Sequence, residues 1–213
     1  MPPPGRPRSF DRAAALRDAM MVFWAKGYDG ASLPDLTAAM GIHSPSLYAA
    51  FGSKQELFGE ALDLYGETDG NGLWDAIPDA PSAREAIEHL LRASAESFTR
   101  PQRPSGCMIA LGELQVTDAN EEVRRDLRRR RDRGLGILRR RLERAVRTGE
   151  LSGQVDCAAV ASFYATVQHG MSIRARDGAS RAELLAIGES AMAAWDPLTA
   201  ARRRRRKSAT RRR

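Results

Sequence analysis

Cysteine is scarce: the 213-residue chain has two, Cys107 and Cys157. Two cysteines cannot build a disulfide framework, and their presence suits a reducing compartment. Long apolar runs are missing as well. Nothing approaches the roughly 18 consecutive apolar residues needed to cross a bilayer. The opening Met1-Pro-Pro-Pro-Gly-Arg-Pro-Arg has no apolar stretch of the kind that directs secretion, so the expected location is cytoplasmic. There are three histidines, and neither Cys-x-x-Cys nor His-x-x-x-His spacing occurs. Cys107, Met108, His169 and Met171 therefore read as core side chains rather than soft metal ligands, and no metal or other cofactor is expected. No basic residue lies beside Cys107 in the sequence to favour its thiolate, which argues against a redox sensor. A glycine-rich phosphate loop, a nucleophile paired with a base and a carboxylate pair are all absent, so the chain does not read as an enzyme.

What is present looks like a globular helical protein. Hydrophobic residues make up 42% and charged residues 29% of the chain. The net charge of +7 is misleading, because nine of the 34 basic residues lie between Arg202 and Arg213 with no acid among them. The remaining 25 bases face 27 acids, so the body of the protein is slightly acidic. Residues 1–60 carry six bases and six acids. Any interaction of that segment with nucleic acid must therefore rest on individually placed side chains, not on bulk charge.

Helical periodicity runs through the first 65 residues. Leu16, Ala19, Met20, Phe23 and Gly27 share one face of a helix predicted over 10–26, which Gly27 and Gly30 then interrupt. Ser32, Pro34 and Asp35 form a helix-start signal, and a second helix of about two turns ends at Gly41. Ser44-Pro45 opens a third, with Ser44 the expected cap and Pro45 the expected first helical residue; it reaches Phe51 and stops at Gly52. Ser53 caps a fourth helix through Leu57, Ala61 and Leu64. Leu36, Ala39, Ile42, Leu47 and Phe51 are left to hold these helices together. Ser44, Ser46 and Tyr48 face outward, small and polar enough to enter a DNA major groove.

The stretch KGYDGASLPDLTAAMGIHSPSLYAAFGSKQELF resembles the N-terminal DNA-binding domain of the TetR family of bacterial transcriptional regulators. The Lys-Gly-Tyr turn, the Leu-Tyr pair of the third helix, the Phe that ends it and the following Ser-Lys carry the resemblance, which spans about residues 10–65. It implies a helix-turn-helix whose third helix reads DNA, followed by an all-helical ligand-binding and dimerisation domain. The DNA-contacting candidates are Ser32, His43, Ser44, Pro45, Ser46, Tyr48 and Lys54. Ser32, Tyr48 and Lys54 are assigned to phosphates, and His43 stands where the family usually has Ser or Asn. The expected partners are double-stranded operator DNA, a second copy of the chain and a small-molecule effector, in a repressor acting on a palindromic site. An effector-free architectural or nucleoid-type DNA-binding protein is the alternative.

The fold class expected is all-α, with about nine helices and no sheet. The domain boundaries are 8–66 for the helix-turn-helix unit, 67–198 for the ligand-binding and dimerisation domain and 199–213 for a basic tail. Downstream helices are predicted over 83–98, 107–116, 120–148, 158–174 and 181–195. Phe98, Met108, Leu111, Leu114, Phe163 and Val167 are candidates for an apolar effector cavity, with Gln168 and His169 as polar anchors. Tyr164, Met171, Leu184, Ile187, Met192 and Trp195 are candidates for the dimer face. Twelve arginines between Arg124 and Arg147, accompanied by six acids between Glu121 and Glu150, read as a solvated helix face. Arg6 and Arg8 suit either an arm in the minor groove or a disordered leader without a role, and the tail suits either nonspecific phosphate contact or a solubility or RNA-binding role away from the operator.

Overall fold

The hydrophobic repeats resolve into helices throughout. A computed structural model describes residues 10–112 and 120–200, and among these no strand occurs. The nine expected helices are present, and two one-turn helices are added to them. In chain order they are α1 (Arg12–Gly30), α2 (Leu33–Met40), α3 (Ser44–Phe51), α4 (Lys54–Thr68) and the one-turn α5 (Asn71–Trp74). Then come α6 (Ala83–Phe98), α7 (Met108–Gly112), α8 (Glu121–Arg147), α9 (Cys157–Arg176), α10 (Arg181–Met192) and the one-turn α11 (Trp195–Thr199). No helix among the described residues is long and apolar enough to cross a membrane.

Local signals explain most of the boundaries. The Asp11 carboxylate accepts hydrogen bonds from the amides of Ala13 and Ala14 at 2.9 and 3.1 Å and so starts α1. Gly27, at φ 73°, kinks the same helix, which resumes for one turn to Gly30. Ser180 and Glu183 form a reciprocal capping box on α10. Asn120 stands at the N-cap of α8 but makes no capping bond; its side chain donates to Asp29 Oδ1 at 2.6 Å.

Helix α1 packs on α2 and α4, while α6, α8, α9 and α10 form the larger bundle. One continuous core runs through both halves. Phe23 meets Phe58 edge-on at 4.9 Å, and Trp24 meets Tyr65 at 4.9 Å, so α1 and α4 are joined by large buried rings. Each such ring contributes about 1.5–3 kcal/mol of burial, plus a smaller term for the edge-to-face geometry. The boundary expected at residue 66 falls inside α4, so the two halves share that helix.

A second seam joins α1 to the bundle through polar groups. The Arg176 guanidinium, at the end of α9, donates to the carbonyls of Trp24, Ala25 and Ser105, each at 2.9 Å. Carbonyls in the last turn before a helix break lose their usual amide donors, and Gly27 breaks α1 just there. Trp24 Nε1 in turn donates to the Gly106 carbonyl at 3.1 Å. Gly106 has φ 81°, and a Cβ on it would lie 2.6 Å from the Ser172 carbonyl, so only glycine fits between α1 and α9. Buried Asp69, at the end of α4, accepts from Arg100 and Arg103 at 3.2 and 3.1 Å and anchors the loop that leads to Gly106.

Candidate nucleic-acid interface

The turn between α2 and α3 is set by Gly41, which adopts the left-handed conformation at φ 63°. The Ile42 amide then reaches back to the Thr37 carbonyl at 3.1 Å, a six-to-one bond that closes the end of α2. Leu36, Leu47 and Phe51 are buried and Ile42 packs against the core, as the sequence suggests. Ala39 is exposed, and Met40 fills the core position expected of it. One residue of helical register rotates a side chain by about 100°, which accounts for the exchange.

Burying Leu47 and Phe51 leaves the opposite edge of α3 in solvent. His43, Ser44, Pro45 and Tyr48 are exposed, Tyr48 at 46%, and Ser46 is half-buried. His43 is the N-cap and makes no side-chain capping bond. Ser44 therefore does not cap: it is the first helical residue and Pro45 the second, one position later than expected. Proline is tolerated there because the amide it removes would have had no intrahelical partner. Among the described residues the side chains of His43, Ser44, Ser46 and Tyr48 make no hydrogen bond within the protomer, so their donors and acceptors point at water.

Ser32 and Lys54 flank this edge differently. The Ser32 hydroxyl donates to Asp35 Oδ2 at 2.7 Å and accepts from the Asp35 amide at 3.1 Å, and its own amide donates to the same carboxylate. Lys26 completes the group, 2.6 Å from Asp35 Oδ1. The hydrogen bonds from Lys26 and Ser32 hold the Asp35 pKa down to about 2. A phosphate reaching Ser32 meets a capping box already closed and an adjacent carboxylate. Lys54 sits with its ammonium 4.5 Å from the centre of the Tyr28 ring, in a cation–π contact. Burial lowers its pKa, and among the described residues no carboxylate lies within 4 Å of it. Its charge remains available to an anion.

Sequence reading missed what aims α3. Arg12 in α1 donates to the Ala50 carbonyl from Nε and Nη2 at 3.3 and 3.2 Å, and pairs with Glu60 of α4 at 2.7 Å. Its guanidinium also lies 4.3 Å from the centre of the Phe51 ring. One side chain thus binds the last turn of α3 to both neighbouring helices. No local signal reveals it, because its partners lie 38 and 48 residues away.

In the larger bundle the placements diverge from expectation. Phe98, Met108 and Leu111 are buried in the core, Phe163 and Val167 are half-buried, and Leu114 lies outside the described residues. None of the five described candidates lines the cleft of about 400 Å3 between α4, α5 and α8, whose walls include Asp63, Trp74, Ile109, Arg130 and Ile137. Gln168 is buried with its Oε1 unpartnered, and burial together with the Arg131 charge holds the His169 pKa below its usual value. Four of the six dimer candidates belong to the protomer's own core. Tyr164, Met171, Leu184 and Trp195 are buried, with Tyr164 donating to the Ala191 carbonyl at 3.3 Å and tilted against Trp195 at 6.0 Å. Tyr164 and Trp195 close the α9–α10–α11 corner, and buried in the protomer none of the four offers its side chain to a second copy. Ile187 and Met192 remain partly exposed, and Ile173, at 43%, joins them as an exposed apolar residue. Arg6, Arg8 and the basic run from Arg202 onward lie outside the described residues.

Comparison with known proteins accounts for both parts of the chain. Residues 15–61 match the model for bacterial regulatory proteins of the tetR family, and residues 83–186 match a tetracyclin repressor-like C-terminal domain. The chain is 32% identical over 195 residues to the HTH-type transcriptional repressor ComR of Escherichia coli, covering 91% of this chain and 93% of that protein. It is also 32% identical over 199 residues to the repressor BdcR of the same organism, covering 88% and 90%. Among solved structures, it is similar to a cysteine-substituted form of the regulator CifR complexed with 26-base-pair double-stranded operator DNA. That likeness has a TM-score of 0.85 and 46% identity, and covers 89% of this chain and 100% of CifR.

Proposed function

Because the chain belongs to the TetR family of bacterial transcriptional regulators, we propose that it is a repressor that grips a palindromic operator as a homodimer and lets go when a small molecule occupies its C-terminal bundle. The observation that carries the reading is the exposed edge of α3. It offers an imidazole, two serine hydroxyls and a phenol that have no hydrogen-bond partner among the described residues, on a helix held rigid by Arg12, Leu47 and Phe51. Groups of this size and polarity match base edges and phosphates of the major groove. His43 and Ser46 read bases, Tyr48 and Lys54 take phosphates, and Ser44 and Pro45 set the close approach of the helix start. Ser32 serves the capping box rather than DNA.

Two copies meet through the outer faces of α9 and α10, where Ile173, Ile187 and Met192 remain uncovered. A two-fold interface of this kind presents two α3 helices to successive half-sites. The effector acts by linkage, binding the DNA-incompetent arrangement of the dimer more tightly than the competent one. The seam formed by Arg176, Gly106 and Trp24 gives such a change a direct route to α1.

Footprinting on the DNA upstream of the protein's own reading frame tests the proposal. A bounded protected site is expected. His43→Ala and Ser46→Ala should each relax preference at particular positions by about 1–3 kcal/mol, while Lys54→Ala weakens binding to all sequences alike. Equal losses on specific and random DNA for all three variants, or uniform coating without a bounded site, refute it.

A further inference from the structure

Beside the C-terminal half of α8 lies a cleft of about 210 Å3 that the DNA-binding reading does not use. It is lined by Pro78, Ile137, Arg140, Arg141, Arg144 and Arg147. Arg140, Arg144 and Arg147 recur at helical spacing and so share a face of α8. Several other arginines on this helix are matched. Arg129 and Arg130 pair with Asp126, Arg139 with Glu143 and Arg141 with Glu150. Among the described residues Arg140, Arg144 and Arg147 have no carboxylate within 4 Å. The two nearby acids are committed, Glu143 to Arg139 and Glu150 to Arg141 and the Ala83 amide.

The arrangement goes beyond a row of solvated side chains in two respects. Arg140 folds back on its own helix: a Cβ at Gly136 would lie 3.0 Å from its Nη1, so the absence of a side chain there makes room for the guanidinium. Arg141 is buried, with a side chain 3% exposed, and its terminal nitrogens hold Glu150 and the Ala80 carbonyl. Its Nε, also buried, has no acceptor. Three unmatched guanidiniums and two apolar side chains around one cleft together describe a receptor for an anion with an apolar body.

We propose that this cleft binds a small organic anion. Its carboxylate or phosphate is held by Arg144, Arg147 and Arg140 through charge-assisted hydrogen bonds, and its apolar part rests on Pro78 and Ile137. The volume is below the roughly 300–1,000 Å3 of pockets for drug-sized ligands, so the ligand is correspondingly small. The proposal holds whether or not α3 reads DNA, since it rests on α8 and the turn before α6 alone.

The test is calorimetric titration of the full chain, at fixed ionic strength, with phenyl phosphate, benzoate, inorganic phosphate and benzyl alcohol. The same titrations are run on Arg144→Gln combined with Arg147→Gln. Both positions are exposed on a helix that tolerates glutamine, and circular dichroism verifies the fold. Saturable one-to-one binding of phenyl phosphate or benzoate is expected, weakened at least about tenfold in the double variant. Tighter binding of phenyl phosphate assigns a phosphate ligand, and tighter binding of benzoate a carboxylate. Inorganic phosphate should bind more weakly than phenyl phosphate, and the alcohol not at all. Absence of saturable binding by both aromatic anions overturns the proposal. So does equal affinity in wild type and variant, which would place the anion elsewhere, for instance on the basic run after Arg202.

Discussion

Replacing Arg176 by alanine removes three hydrogen bonds at once and leaves three carbonyls to be satisfied by water or not at all. The donors are charged and the distances, 2.9 Å each, are favourable. A hydrogen bond to a charged group is worth about 1.5–3 kcal/mol when sheltered. Arg176 is only half-buried, so about 1 kcal/mol per bond is the appropriate scale, and the total loss should be about 2–4 kcal/mol. With a urea dependence of about 1–3 kcal/mol per molar, the unfolding midpoint should fall by about 1–2 M with the slope unchanged. Both proteins must be compared at one concentration, because dimerisation makes apparent stability depend on it. Arg176→Lys should restore less than half of the loss, since an ammonium cannot fork across three carbonyls as a guanidinium does. Amide exchange should accelerate most at the last turn of α1, around Tyr28 to Ala31. A midpoint shift below about 0.25 M, or full rescue by lysine, would refute the claim that this side chain caps the broken end of α1.

The remaining predictions concern single groups. Ser32→Ala should cost about 1 kcal/mol through loss of the α2 capping box, measured by urea titration at neutral pH. Asp35 has its folded pKa depressed to about 2, below the unfolded value of 3.8, so its contribution is complete above pH 4 and lost as pH falls towards 2. The stability difference between wild type and Asp35→Asn should accordingly shrink over that window, and a difference independent of pH would contradict the assignment. Gly106→Ala should destabilise by more than about 2 kcal/mol, combining a left-handed φ of 81° with a Cβ 2.6 Å from the Ser172 carbonyl. Ile187→Glu with Met192→Glu should yield a folded monomer by analytical ultracentrifugation. Leu184→Glu, at a fully buried position, should instead disrupt the protomer.

Helices were legible because most boundaries are written in nearby residues. Ser32 with Asp35, Gly41, Ser53 and the 3.6-residue apolar repeat act within one or two turns, and the structure follows them closely. The exposed edge of α3 was legible for the same reason: burying Leu47 and Phe51 dictates which side chains remain outside. What escaped was anything decided by distant partners. An apolar side chain such as Tyr164 or Leu184 signals burial, but periodicity does not say whether its cover comes from α11 of the same chain or from a second copy. Arg12 and Arg176 look like ordinary charged residues on amphipathic helices, and only the tertiary arrangement brings carbonyls to their guanidiniums. The capping role expected of Ser44 failed by one residue, since Ser and its neighbour His43 compete for the same position before Pro45.

The seam at Arg176 is made almost wholly with main-chain atoms of the DNA-binding half. Two of its acceptors are carbonyls of α1, and among the described residues Trp24 is the α1 side chain that donates across it. Main-chain carbonyls look the same whatever residue carries them. An N-terminal unit taken from another protein would therefore fit this bundle if its first helix breaks at the same place and keeps an indole one turn earlier. It would also have to supply the side chains that α1 and α4 bury or pair against the bundle, such as Tyr65 and Asp29, while the exposed edge of α3 that chooses an operator would be free to differ. The joint is thus a standard fitting, and it makes this bundle a suitable host for transplanting the sensing half of one regulator onto the reading half of another.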